Sequence, residues 1–171
     1  VMPATANDAR DLLISSVLSD DPVLYIDDRW AYDHEEEETE IVEINLSEQG
    51  PKVKRVGKDI TLIGAGYSAF QCLNVADKLK KEWISIEVID LRVINPIKHD
   101  VMIESVKNTG RVLAVDGGWS NCGLASEILA GVCEAINPSQ LKTKPERLTL
   151  TDSPAPTSKV LEESYYTTEV Q

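Results

Sequence analysis

The stretch "DITLIGAGYSAFQCLNVADKL", Asp59 to Leu79, decides how this chain is read. A run of β-formers enters Gly64-Ala65-Gly66-Tyr67-Ser68-Ala69, and Ala69, Cys72, Leu73, Ala76 and Leu79 then recur at helical three-to-four spacing. A strand turning sharply on glycine into a helix is the opening of a crossover unit. Its spelling, G-x-G-x-x-A, is one that the dinucleotide-binding fingerprint allows.

Downstream the same alternation continues. "ISIEVIDL" (Ile84 to Leu91) reads as a second strand, and "NPIKHDVMIESVKNTG" as a loop and a short helix ended by Gly110. "RVLAVDGG" reads as a third strand running into a Gly-Gly turn. "LASEILAGVCEAIN" is the clearest helix, with Ala125, Ile128, Leu129, Val132, Cys133 and Ile136 on one stripe and Pro138 as its stop. "ERLTLT" supplies a fourth strand. Strands alternating with amphipathic helices predict an α/β domain, a mostly parallel sheet covered on both faces.

Upstream of Asp59 the pattern is weaker. Asn7 is placed to cap a helix over "DARDLLISSVLS" that turns Leu12, Leu13, Val17 and Ala9 inward, and "VLYI" (Val23 to Ile26) reads as a short strand. One helix and one strand cannot bury their own apolar faces, so residues 1–33 read as the tail of something larger. Residues 34–58, opening with "HEEEETE", read as an acidic linker holding one strand, at Ile41 to Leu46 or at Lys52 to Val56. The Pro-rich tail from Asp152 reads as irregular, and the absence of Met at position 1 suggests a piece of a longer protein.

Composition excludes several function classes. With 29 acidic against 17 basic residues the chain carries a net charge of −12, which disfavours nucleic acid and anionic membranes as partners. No apolar run approaches the length that spans a bilayer. Cys72, Cys122 and Cys133 lack metal or redox spacing and suit a reducing compartment, with Cys72 and Cys133 expected as small apolar helix residues. Four consecutive acids, Glu35 to Glu38, lack the spaced geometry of a calcium loop and read as solvated.

The glycine turn is the first candidate site. Gly64 and Gly66 would let backbone approach a pyrophosphate at a helix N-terminus, and Asp90 lies 21 residues beyond Ala69, where a ribose-binding acid belongs. Against this, Tyr67 and Ser68 crowd the turn, too few residues follow it for a dinucleotide fold with a substrate domain, and no hydride-transfer partner stands out. His34 and His99 read as exposed bystanders. Gly64, Gly66 and Asp90 are therefore set aside as cofactor residues, and the turn is read as structural. The second candidate is "VDGGW". Thiamine-diphosphate enzymes hold magnesium with Gly-Asp-Gly and a later Asn, but here the order is Asp116-Gly117-Gly118 and Asn137 falls too early. Asp116, Gly117, Gly118 and Trp119 are read instead as a contact loop presenting an aromatic anchor. No metal site and no catalytic residue is assigned.

Read together, "PATANDARDLLISSVLSDDPVLYID", "IEVIDLRVINPIKHDVMIESVKNTGRVLAVDGGW", "GLASEI" and "DSPAPTSKVLEE" resemble one family. They resemble the β subunit of the decarboxylating component of 2-oxo-acid dehydrogenase complexes, such as pyruvate dehydrogenase. The resemblance implies that residues 1–33 close a pyrimidine-binding domain and that residues 59–171 form a transketolase-type C-terminal domain. It further implies three α/β/α layers around a mostly parallel five-stranded mixed sheet with one antiparallel strand. The parent would use thiamine diphosphate and magnesium, neither held by this chain, in the cytoplasm or the mitochondrial matrix. The implied partners are the α subunit, a second β subunit and the subunit-binding domain of the acyltransferase. The linker departs from the usual Pro- and Gly-containing connection, and the family usually continues past the position of Gln171 into a final helix. The rival readings are the equivalent domain of a transketolase or deoxyxylulose-phosphate synthase, a nucleotide-binding oxidoreductase, and an unrelated interaction module.

Overall fold

The computed structural model describes residues 1–41 and 45–166. Its centre is a five-stranded sheet of β1 (Lys52–Arg55), β2 (Ile60–Gly64), β3 (Ile86–Asp90), β4 (Val112–Trp119) and β5 (Glu146–Leu150) in the order β1-β3-β2-β4-β5. β3, β2, β4 and β5 run parallel, and β1 joins the edge antiparallel to β3. The mixed sheet with one antiparallel strand is the expected one. Its antiparallel member is the second of the two alternatives read in the linker, Lys52 to Val56. In the other, residues 42–44 lie outside the described residues.

Strand alternation sorts the core into two layers. Ile63, Ile89, Val112 and Ala114 face α3 (Asp100–Thr109) and α4 (Leu124–Ala135), meeting Met102, Val106, Ile128 and Val132. Leu62, Ile86, Val88 and Val115 face the opposite side and bury Cys72 and Ala76 of α2 (Tyr67–Leu79). Period two in the strands and period 3.6 in the helices thus meet as helix, sheet and helix layers. Thr61 is the polar exception: its hydroxyl lies 2.7 Å from that of Ser105 and 2.8 Å from that of Thr109, satisfying all three where β2 meets α3.

Several local expectations are overturned. Helix α1 (Ala6–Val17) is capped by Thr5, not Asn7, and its buried face is Asp8, Asp11, Leu12 and Ser15. Leu13 and Val17 point outward at 49% and 76% exposure. Val23 to Ile26 forms no sheet strand; instead the amino group of Val1 donates to the Leu24 carbonyl, and the Ile26 N–H donates to the Val1 carbonyl. β4 continues through Gly117 and Gly118 to Trp119, so the Gly-Gly pair is strand and not a turn. The stripe of α4 holds at Ala125, Ile128, Val132 and Ile136, whereas Cys133 is exposed. The tail is not wholly irregular, since α5 spans Lys159–Tyr165.

Candidate functional site

In the doubly wound arrangement the strand order reverses between β2 and β4, and the crevice beyond their carboxyl ends is where such sheets take ligands. The glycine turn lies there. A side chain on Gly64 would press within 2.9 Å of the Ala69 nitrogen, so only glycine lets the strand close onto α2. Gly66 adopts φ of +54°, and an added Cβ would lie 2.8 Å from Cε of Met2. The Met2 thioether therefore sits on the backbone face that a pyrophosphate would approach. Its own N–H donates to the Arg92 carbonyl at 2.8 Å, which fixes the N-terminal segment across the crevice.

Asp90, weighed and set aside as a ribose ligand, pairs in register with Gly64 across β2 and β3. The three sequence candidates are thus brought to one point, yet Asp90 has no exposed surface. One carboxylate oxygen accepts the Arg92 N–H at 3.1 Å, and the other has no hydrogen-bond partner. Burial, with the Asp8 carboxylate nearby, pushes its pKa up to about 7, although Lys54 and Arg92 pull the other way. Burial likewise pushes the Cys72 thiol up to about 12, so it remains protonated and inert.

Around Asp90 is a charged cluster that sequence reasoning missed. Arg92, 1% exposed and held at a left-handed φ of 58°, directs Nε at Asp8 Oδ1 (2.9 Å) and Nη1 at the Gln49 side-chain oxygen (2.7 Å). Lys54 of β1 pairs with the other Asp8 oxygen. Burial alone would raise the Asp8 pKa, but the Lys54 hydrogen bond and the charges of Lys54, Arg92 and Lys52 outweigh it and hold the group below its ordinary value. α1, β1 and the segment after β3 are therefore joined by one part-buried and one buried ion pair, whose members lie 46 and 84 positions apart.

The second candidate divides in two. Asp116 turns inward: its carboxylate accepts the N–H groups of Gly118 (2.8 Å) and Ala125 (3.1 Å), capping the first turn of α4 from a distance. Gly123 is needed beside it, since a Cβ there would strike the Trp119 carbonyl. Trp119 points outward at 46% exposure and donates its indole N–H to the Tyr165 hydroxyl at 3.0 Å. His99 is no exposed bystander: it is half-buried before α3, its ring lies against Gly131, and Nε2 is buried without a partner. His34 is exposed but stacks on Phe70 at 3.8 Å between ring centroids. Among the described residues no group of three or more His, Cys, Asp or Glu could hold a metal ion. An open cleft of about 1080 Å³ runs between segments 18–26, 45–49 and 93–98.

The transketolase C-terminal domain family matches residues 50–171, most of the chain and all five strands. The chain belongs to that family. This transketolase C-terminal domain is 35% identical over 169 residues to the pyruvate dehydrogenase E1 component subunit β of Dictyostelium discoideum, covering 95% of the chain and 46% of that protein. It is 37% identical to the corresponding subunit of Staphylococcus epidermidis over 78% of the chain and 41% of that subunit. The β subunit of acetoin:2,6-dichlorophenolindophenol oxidoreductase from Cupriavidus necator is 34% identical over 96% of the chain, which covers 48% of that subunit. A solved split-gene transketolase, described as an inactive β4 tetramer, superposes with a TM-score of 0.71 at 22% identity over 98% of the chain and 53% of its own, so it shows the shared fold. The chain spans about half the length of the curated relatives it matches. No helix among the described residues is long and apolar enough to cross a membrane.

Proposed function

We propose that this chain is the C-terminal assembly domain of a thiamine-diphosphate-dependent 2-oxo-acid dehydrogenase β subunit, with residues 1–33 the end of the preceding domain. The parent oxidatively decarboxylates a 2-oxo acid, pyruvate being favoured, and passes the acyl group to lipoyl. The chain contributes contacts to the α subunit and a second β subunit, and holds no catalytic residue. The observation that carries this reading is the 35% identity to a pyruvate dehydrogenase β subunit, sustained across 95% of the chain, upstream segment included. The Met2 plug over Gly66 and the burial of Asp90 support it by filling the crevice that a nucleotide would need. Thiamine diphosphate would supply the carbanion chemistry in the parent, and no residue described in this chain is assigned to hold it.

Three measurements test the proposal. The purified chain should co-purify with a co-expressed α subunit of the same organism. Incubated alone with pyruvate, thiamine diphosphate and magnesium, it should release no carbon dioxide. NAD, flavin or AMP at about a hundredfold excess over a micromolar Kd should leave its melting temperature unchanged, since binding would add ~2.7 kcal/mol. Turnover by the isolated chain, or a shift of several degrees with a nucleotide, would overturn it. The 34% identity to the acetoin oxidoreductase β subunit favours a second reading, in which the parent oxidises acetoin. Assaying the reconstituted parent with both substrates separates the two.

A further inference from the structure

Among the described residues Trp83 is the most exposed large apolar side chain, at 93%. It closes a 3-10 turn over Lys80–Glu82, its N–H donating to the Lys80 carbonyl at 3.2 Å, and it does so at a left-handed φ of 65°. Both features weigh against it in folding. A ring left in water gains nothing from burial, and a left-handed backbone favours glycine or asparagine over a bulky side chain. The chain's own stability gives no reason for a tryptophan here, whereas contact with another molecule does.

The surroundings select the occupant. Val56, 83% exposed, follows β1, and the next two residues hold it beside the segment that leaves Trp83. A Cβ on Gly57 would strike the Ile86 backbone, and the Lys58 N–H donates to the Ser85 carbonyl at 3.1 Å. Ile84 is exposed as well, and so are Lys80 and Lys81 in the turn and Lys58 across from Ser85. Of the acids nearby, Asp77 is paired with Arg55 and Asp59 accepts the Ser85 N–H at 2.7 Å, which leaves Glu82. In a chain of net charge −12 this is a basic island with an apolar centre. It lies at the amino end of the parallel strands, just before β3, whereas Met2 and Arg92 fasten the leading segment beyond their carboxyl ends.

An extended polyanion, whether duplex nucleic acid or an anionic bilayer, would meet the chain's other acids as well as the island and be repelled. A second copy docked island to island sets lysines against lysines, and one docked by its acidic stretch makes a head-to-tail contact that leaves the dimer open. A short acidic segment with apolar side chains satisfies both features: its carboxylates pair with the lysines while its apolar groups cover Trp83 and Val56. We propose that the island around Trp83 and Val56 is a docking surface for such an acidic, apolar-bearing segment of a partner protein. It goes beyond the assembly reading and does not depend on it.

The test titrates fluorescent peptides with the whole chain at about 0.15 M salt, where long-range charge is largely screened. A nonapeptide of repeated Glu-Glu-Leu should bind at a single saturable site, at least about fivefold tighter than nona-glutamate, which offers charge without apolar cover. Trp83→Gly should weaken it about tenfold and leave the melting temperature no lower, because glycine suits the left-handed backbone. Lys80→Glu combined with Lys81→Glu should weaken it about as much. Val160→Ala, which trims an exposed apolar side chain on α5, should change nothing. Absence of binding, equal affinity for nona-glutamate, or unchanged affinity in the two island variants would each overturn the proposal. So would a lower melting temperature in Trp83→Gly, a self-association that Trp83→Gly dissolves, or binding of phosphatidylserine vesicles in place of the peptide. The peptide comparison on the unaltered chain decides the matter even where a variant misfolds. Failure to co-purify with the α subunit while the Glu-Glu-Leu peptide still binds would sink the dehydrogenase reading and leave the island standing.

Discussion

Asp90 is a carboxylic acid with no exposed surface, one oxygen unpartnered, and a pKa pushed up to about 7 by burial and by Asp8. Its folded value lies above the unfolded one, so the folded state binds the extra proton between roughly pH 4 and pH 7. Its contribution to stability is therefore greatest below pH 4 and is lost as pH rises through 7. Asp8 behaves oppositely. Held below its ordinary value, it contributes above the unfolded pKa and loses that contribution as pH falls below about 4. Asp90→Asn should thus flatten the descent between pH 4 and pH 8 and raise stability at pH 8 by up to about 4 kcal/mol, with little effect at pH 4. Urea midpoints measured across that range check it; an unchanged slope would show that Asp90 does not titrate there. Nothing at positions 8, 54 or 92 announced this cluster in the sequence, because its members are brought together by the fold and carry no shared spacing.

At the scale of elements, legibility followed how each face is buried. β2, β3 and β4 and the stripe of α4 were readable because their partners are apolar, and alternation reports apolar burial directly. α1 was misread because its inner face is Asp8, Asp11 and Ser15, which hydrophobic periodicity assigns to solvent. The "DGGW" segment was misread for a related reason. Two glycines signal a turn unless something holds them extended, and here Asp116 clasps Gly118 on one side and the start of α4 on the other. Asp116→Ala should therefore cost about 0.5–2 kcal/mol, the range for a lost helix cap, and Asp116→Asn should recover part of it. Thermal denaturation of the two variants checks the order. If both match the unaltered chain, Asp116 caps nothing that matters.

The whole molecule is held together at two places across the acidic stretch at 34–41. On one side Asp8 pairs with Lys54 and Arg92, and Met2 lies on Gly66; on the other Trp30 meets Tyr67 and Tyr166. A single protease cut within residues 35–40, which are exposed, should accordingly leave both pieces associated at neutral pH and moderate salt. They should elute together in size exclusion and melt in one transition. Separate elution without denaturant would show that the N-terminal segment is merely tethered. The mostly parallel sheet was legible at this scale, but the docking of residues 1–33 onto it was not, since their role depends on side chains that ion-pair or plug rather than repeat.

The thioether of Met2 also couples two properties that would otherwise vary independently. Any substitution that empties the hollow above Gly66, to admit a phosphate for instance, also removes one of the fastenings of the leading segment, leaving the Asp8 pairs and the Trp30 contacts to hold it. Opening that hollow therefore slackens the attachment of the first thirty residues, and the two cannot be tuned without regard to each other.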